Sequence, residues 1–330
     1  MAAGLQRLKF LAQLGAASDP LSQYHTVAIW RQCLGGLSMI SRNLITLWAA
    51  VVLAASFVMP ASAAEFTDTF ESGSRSGSSD GISWGNASGN VTVTGGGRVK
   101  GIYSLEVLYP GKSEDEDASA VQHFKLGSGS PEVWIRFLLR VPDNYYHRDV
   151  PGPDNNKFLK LSTNSQVSSS EGVNVLWEYN QDGKGGSLLS WHWTMVGTDQ
   201  WKSGHQDGTL VFGPADRGTI QEFVFRVKMA SGATSRNGVI QAWHRRSGQS
   251  DFRKIHDVQD APLYPGPEWP TQTKFVAGYL FSWANASFAN DTYFHLDDIK
   301  IASTSLLGAT TEPEPDVTPP KPPTDVSASN

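Results

Sequence analysis

The chain is 330 residues long, with 27 Lys and Arg against 32 Asp and Glu, a net charge of −5, and no basic run or tail. That balance excludes the electrostatic footprint of a nucleic-acid-binding protein. A single cysteine, Cys33, excludes a disulfide framework, so stability has to come from a large apolar core.

In chain order, the first readable segment is "RNLITLWAAVVLAASFVMPASAA", residues 42 to 64. Arg42 supplies a positive start, Leu44 to Val58 is an apolar run too short to cross a bilayer comfortably, and Ala61-Ser62-Ala63 is a small-residue cleavage site. A signal peptide is therefore expected over 39–64, with Met39 as the true start and 1–38 an upstream segment outside the protein proper. The alternative, a single anchoring helix, lacks a basic stop-transfer flank. The mature chain is expected to begin at Ala64 or Glu65, to be secreted or periplasmic, and to leave the membrane after cleavage. It then contains no cysteine, and about 240 residues, 65–305, remain to form one domain.

Within that domain, short alternating runs are separated by Gly, Asn, Asp and Ser clusters, and no helix is expected. "VWIRFLLRV" (133–141) puts Val133, Ile135, Phe137, Leu139 and Val141 on one face and Trp134, Arg136, Leu138 and Arg140 on the other. "VNVLWEY" (173–179) alternates Val173, Val175 and Trp177 with Asn174, Leu176 and Glu178. "SWHWTM" (190–195) sets Trp191, Trp193 and Met195 against Ser190, His192 and Thr194; with the tryptophans in the core, His192 projects outward. "EFVFRVKM" (222–229) turns Phe223, Phe225 and Val227 inward and Glu222, Arg226 and Lys228 outward. "GVIQAWHRR" (238–246), "KFVAGYLFSW" (274–283) and "TYFHLDDIKI" (292–301) are further strands. Residues 306–330 are Pro-rich and acidic and read as an extended linker; "PPTDVSAS" resembles the opening strand of a fibronectin type III module.

"FTDTFESGS", "EVWIRFLLRVPDNY" followed by "NNKFLKLS", "NGVIQAWHR" and "YFHLDDIKIA" together resemble the concanavalin A-like lectin/glucanase superfamily, closest to its secreted polysaccharide lyases. The resemblance implies an all-β jelly roll of two antiparallel sheets with a concave carbohydrate groove. It also implies a polysaccharide partner, and a monomer is expected. These motifs are structural landmarks, and fold analogy does not establish chemistry.

The chemistry has to come from outward residues. Trp134, Arg136, Arg140, Asn174, Glu178, His192, Arg226 and Lys228 include an aromatic platform and cations suited to gripping an acidic sugar chain, and they equally suit a solvated face of paired charges. The loop "DNYYHRDVPGPDNNK" (143–157) adds Tyr145, Tyr146, Asn156 and Lys157 as a candidate groove rim. β-Elimination of a uronate needs a base and a group that neutralises the carboxylate. His192, or Tyr145 or Tyr146, is the candidate base, and Arg136, Asn156 or Lys157 the neutraliser. Glycoside hydrolysis needs two carboxylates; the superfamily's E-x-D-x-x-E pattern is absent and "EYNQD" has the wrong spacing. A non-catalytic carbohydrate-binding domain requires the groove alone. Lyase is the preferred reading, with binding module next and hydrolase last. The resemblance also implies a structural Ca²⁺ near Glu71 and Asp297 or Asp298, where oxygen ligands meet between the first and last strands. No histidine spacing suits zinc.

Overall fold

The computed structural model describes residues 65–308 apart from 80, 151, 168–170, 196–199, 205–209 and 268. The expected upstream segment, signal peptide and most of the Pro-rich tail lie outside the described residues.

The strands pair antiparallel in two sheets. The eight-stranded sheet runs in the order Arg253–Ala261, Gly238–Arg246, Ile220–Lys228, Glu132–Arg140, Thr292–Ala302, Tyr103–Tyr109 and Val91–Gly95, with Glu65–Asp68 also paired to Thr292–Ala302. The eleven-stranded sheet runs Gln200–Gly204, Ser187–Met195, Val173–Gln181, Asn156–Ser162, Phe275–Leu280, Gln122–Ser130, Ile82–Ala87 and Ser78–Ser79. Leu210–Phe212, Trp283–Ala284 and Ala118–Ser119 pair at its margins. Among the described residues the one helical turn is the short Pro214–Asp216. The chain is thus an all-β, two-sheet jelly-roll sandwich.

The alternation that predicts the strands also builds the core. Val133, Ile135, Phe137 and Leu139 from one sheet meet Phe158, Val175, Trp177 and Leu189 from the other in one buried cluster. Rings interlock across the gap: Phe137 on Phe158 at 5.7 Å, and Trp177 on Phe225 at 4.8 Å. Each such side chain removed from water contributes about 1.5–3 kcal/mol, which lets the domain hold together without disulfides. The indole N–H of Trp177 donates to buried His256 Nδ1 at 3.1 Å, so its polar edge is satisfied.

Trp191 and Trp193 lie inside, 4% and 2% exposed, with rings stacked 5.3 Å apart at 7°. His192 therefore points outward, as its parity predicts. The packed domain runs past residue 305: Leu306 is buried against Trp134 and Trp243 on the outer face of the eight-stranded sheet.

Candidate functional site on the outer face of the eleven-stranded sheet

Register brings one row of side chains together across five strands. His192 sits opposite Leu176, Leu176 opposite Lys160, Lys160 opposite Tyr279, and Tyr279 opposite His123. Gly278 makes this possible. A Cβ there would lie 2.3 Å from both the Lys160 carbonyl and the Phe124 ring, so only glycine lets the flanking strands close around Phe275–Leu280.

The row has two centres. At one end Glu178 accepts from Lys157 Nζ at 2.7 Å and Asn155 Nδ2 at 2.6 Å through one oxygen, while His192 Nδ1 lies 3.5 Å from the other. Asn285 in turn donates to Asn155 at 2.7 Å. Burial alone would raise the Glu178 pKa, but the contacts with His192 and Lys157 outweigh it and hold the carboxyl at about 2, below its ordinary 4.5. A depressed carboxylate stabilises the fold above its unfolded pKa and loses that contribution as pH falls through the folded value. Glu178→Gln is therefore expected to flatten the loss of stability between pH 4.5 and 2, read as the unfolding midpoint against pH. An unchanged acid limb would show the pairing to be inconsequential.

At the other centre the Tyr279 and His123 rings meet edge to face, 6.1 Å apart. Tyr279 is mostly buried beside Val167, Leu176 and Ala277, but its hydroxyl makes no hydrogen bond among the described residues. Burial, then the charge of Glu178, pushes its pKa up, so the phenol stays protonated. Burial pushes the His123 pKa down, favouring the neutral imidazole. Lys160 donates to the Val167 carbonyl at 2.7 Å; burial, then Lys157, lowers its pKa to about 8. Exposed Lys125 extends the face. Among the described outward strand positions of the eleven-stranded sheet, Glu178 is the one carboxylate.

Of the residues singled out from sequence, His192, Glu178, Lys157 and Asn174 share this face, although Asn174 Nδ2 is turned to the Glu171 carbonyl at 3.2 Å. The others do not join them. Asn156 is fully buried and clamps the backbone of Ala286 in both directions. Tyr145 is no rim residue: it is fully buried with its hydroxyl on Ser187, and burial drives its pKa far up. Tyr146 is half-exposed and packs over Gly185, where a Cβ would collide with its ring.

Trp134, Arg136, Arg140, Arg226 and Lys228 belong to the other sheet's outer face, because their strands lie between Gly238–Arg246 and Thr292–Ala302. Convergence of Arg136 with His192 is thereby ruled out. Arg136, 2% exposed, is paired to Glu222 and donates to the Leu306 carbonyl at 3.1 Å. Arg226 bonds Glu132 at 2.8 Å and lies over the Trp134 ring, Arg140 holds Asp143 at 2.7 Å, and Lys228 is exposed. Arg136, Arg140 and Arg226 are thus paired within that face, Arg136 in a buried position, while Lys228 faces solvent.

The carboxylates expected near calcium accept from backbone N–H groups. Glu71 accepts from the N–H groups of Ile102 and Tyr103, and Asp297 from those of Lys100 and Asp298. Among the described residues no group of three or more metal-ligating side chains is found, and burial, with the charges of Asp298 and Glu71 added, raises the Asp297 pKa to about 7.

The residues that sequence reading missed are His123, Tyr279 and Lys160. "QHFKL" (122–126) alternates cleanly, with Gln122, Phe124 and Leu126 buried and His123 and Lys125 outward, so its signal was present. "FVAGYL" (275–280) is apolar on both faces, and Tyr279 has no such marker.

No protein-family model and no curated protein matches the chain. Solved structures resemble it at low identity. The alginate lyase vAL-1 from Chlorella virus is 9% identical over 68% of this chain and 93% of that one, with a TM-score of 0.44. The alginate lyase Aly36B, solved as a mutant with an alginate tetrasaccharide, is 12% identical over 67% and 88%, with a TM-score of 0.41. The winged bean acidic lectin with methyl-α-D-galactose is 10% identical over 68% and 93%, with a TM-score of 0.38. These likenesses assign no role to any residue here.

Proposed function

We propose that the chain is a polysaccharide lyase that cleaves a uronate-containing polymer by β-elimination on the outer face of the eleven-stranded sheet. The observation that carries the reading is the composition of that face: a His–Tyr pair and three lysines, with one carboxylate that is already committed to Lys157 and Asn155. Hydrolysis needs a second carboxylate across the scissile bond, and none of the described outward positions supplies it. Elimination needs the groups that are present. Neutral His123 takes the proton α to the carboxylate. Lys160 holds that carboxylate and stabilises the developing enolate. The electron pair forms the C4=C5 double bond, the C4–O bond breaks, and protonated Tyr279 gives its proton to the leaving oxygen. His192 and Lys157, anchored on Glu178, bind the polymer further along the row.

The test is incubation of the purified protein with alginate, glucuronan, pectate, ulvan and glycosaminoglycans, following viscosity and the ultraviolet absorbance of new double bonds. Falling viscosity with rising absorbance supports elimination. New reducing ends without unsaturation would mean hydrolysis, and retention of a polymer on an affinity gel without cleavage would mean a binding module.

A further inference from the structure

A cleft of about 390 Å³ opens on the opposite side of the sandwich, on the outer face of the eight-stranded sheet. It is lined by Arg98, Glu106, Arg140, Asp143, Tyr293 and His295, with Asn144 and Asp291 at its margin. We infer that this cleft is a second carbohydrate site, which takes one carboxylate-bearing sugar residue of a glycan chain.

The lining satisfies its acids and leaves a cation and a ring face over. Asp143 is paired with Arg140 at 2.7 Å. Asp291 accepts from the Gly111 N–H at 2.9 Å, and its carbonyl accepts from Asn144. Glu106 Oε2 lies 3.3 Å from His295 Nε2. Each acid in the lining thus has a partner. Two groups do not. The Arg98 guanidinium makes no ion pair or hydrogen bond among the described residues, and its donor fork matches a carboxylate. His295 is 5% exposed, with its Nε2 toward Glu106. Burial, then Arg98 and Arg140, lowers its pKa to about 4, so it is neutral at ordinary pH. Tyr293 leaves 39% of its surface exposed, a ring face on which a pyranose can stack. A free anion would satisfy Arg98 alone, and a neutral sugar would leave Arg98 unused. A sugar acid meets both demands, and the cleft has room for one ring.

The site does not depend on the lyase reading. It is tested by calorimetric titration of the whole protein with oligomers of galacturonate, glucuronate and mannuronate, with a neutral cello-oligosaccharide and sulfate as comparison ligands. The titrations use Lys160→Met protein to weaken the first face. One of the uronate oligomers is expected to bind this variant. Adding Arg98→Ala or Tyr293→Ala, both at exposed positions, is expected to weaken that binding about tenfold, the loss of one charge-assisted contact. Turnover of short soluble substrate by Arg98→Ala protein with Lys160 intact is expected to be unchanged. The inference is overturned if no uronate binds the Lys160→Met protein, if Arg98→Ala leaves the affinity unaltered, or if sulfate or the neutral oligosaccharide competes equally. Failure here leaves elimination on the other face intact, and failure to detect elimination leaves this titration interpretable.

Discussion

Tyr279→Phe is expected to lower turnover of the cleaved polysaccharide by about 10²-fold or more, the usual contribution of a positioned proton donor. The fold should be indifferent to the change. Phenylalanine keeps the ring that packs with Val167, Leu176 and Ala277, and the hydroxyl that is lost bonds to nothing among the described residues. Thermal midpoint and polymer retention on an affinity gel should therefore stay near wild type while unsaturated product disappears. The same geometry fixes the sign of the pH profile. Burial lowers the pKa of His123, so the acid limb of kcat/KM should fall below the free-histidine value of about 6.5. Full activity in the Phe variant would remove Tyr279 from the chemistry. An acid limb above that value would remove His123 as the base.

Arg136→Ala is expected to cost stability and to leave polysaccharide binding on the eleven-stranded sheet alone. Its guanidinium is 2% exposed and shares Glu222, 5% exposed, with Arg245. Breaking a buried pair by removing one partner costs about 3–5 kcal/mol, because the remaining charge keeps its desolvation penalty. The surviving contact from Arg245 favours the lower figure, which in a domain of this size lowers the melting temperature by on the order of 10 °C. The change also removes the donor to the Leu306 carbonyl, so the segment packed over Trp134 and Trp243 should loosen. Proteolysis near that segment, compared with wild type below the melting transition, reads this out. A variant with an unaltered melting temperature but lost binding would return Arg136 to the substrate face.

The contrast between these two residues marks what a sequence can reveal in this fold. Parity along a strand is local, and it correctly turns Trp191 and Trp193 inward and His192 outward. It likewise sorts Phe223, Phe225 and Val227 from Glu222, Arg226 and Lys228. Parity says nothing about which sheet a strand joins. That is decided by pairing between distant segments, such as Glu132–Arg140 settling between Ile220–Lys228 and Thr292–Ala302. Arg136 and His192 are both outward, and they face opposite sides of the molecule. The candidate site is a row across five strands, of which Gln122–Ser130 and Phe275–Leu280 lie far in the chain from the other three, so its members have no common motif. Tyr145 and Asn156 mislead for another reason. Polar residues in a Pro- and Gly-rich loop suggest a rim, yet Tyr145 pins that loop to the sheet through Ser187, and Asn156, at the start of its strand, holds the backbone of Ala286.

The stacked pair Trp191 and Trp193 gives the protein an optical property. Two indoles 5.3 Å apart and 7° from parallel are close enough for their electronic transitions to couple. Their strand neighbour His192 faces the opposite way, into the proposed polymer-binding row. Trp134 and Trp243 form a second dimer, 5.5 Å apart at 17°, on the outer face of the other sheet. The sandwich thus contains two chromophore pairs, each associated with a different sheet. Replacing one tryptophan of either pair would separate their contributions to the circular dichroism spectrum, so that changes on the two sides of the molecule could be followed independently and without an attached label.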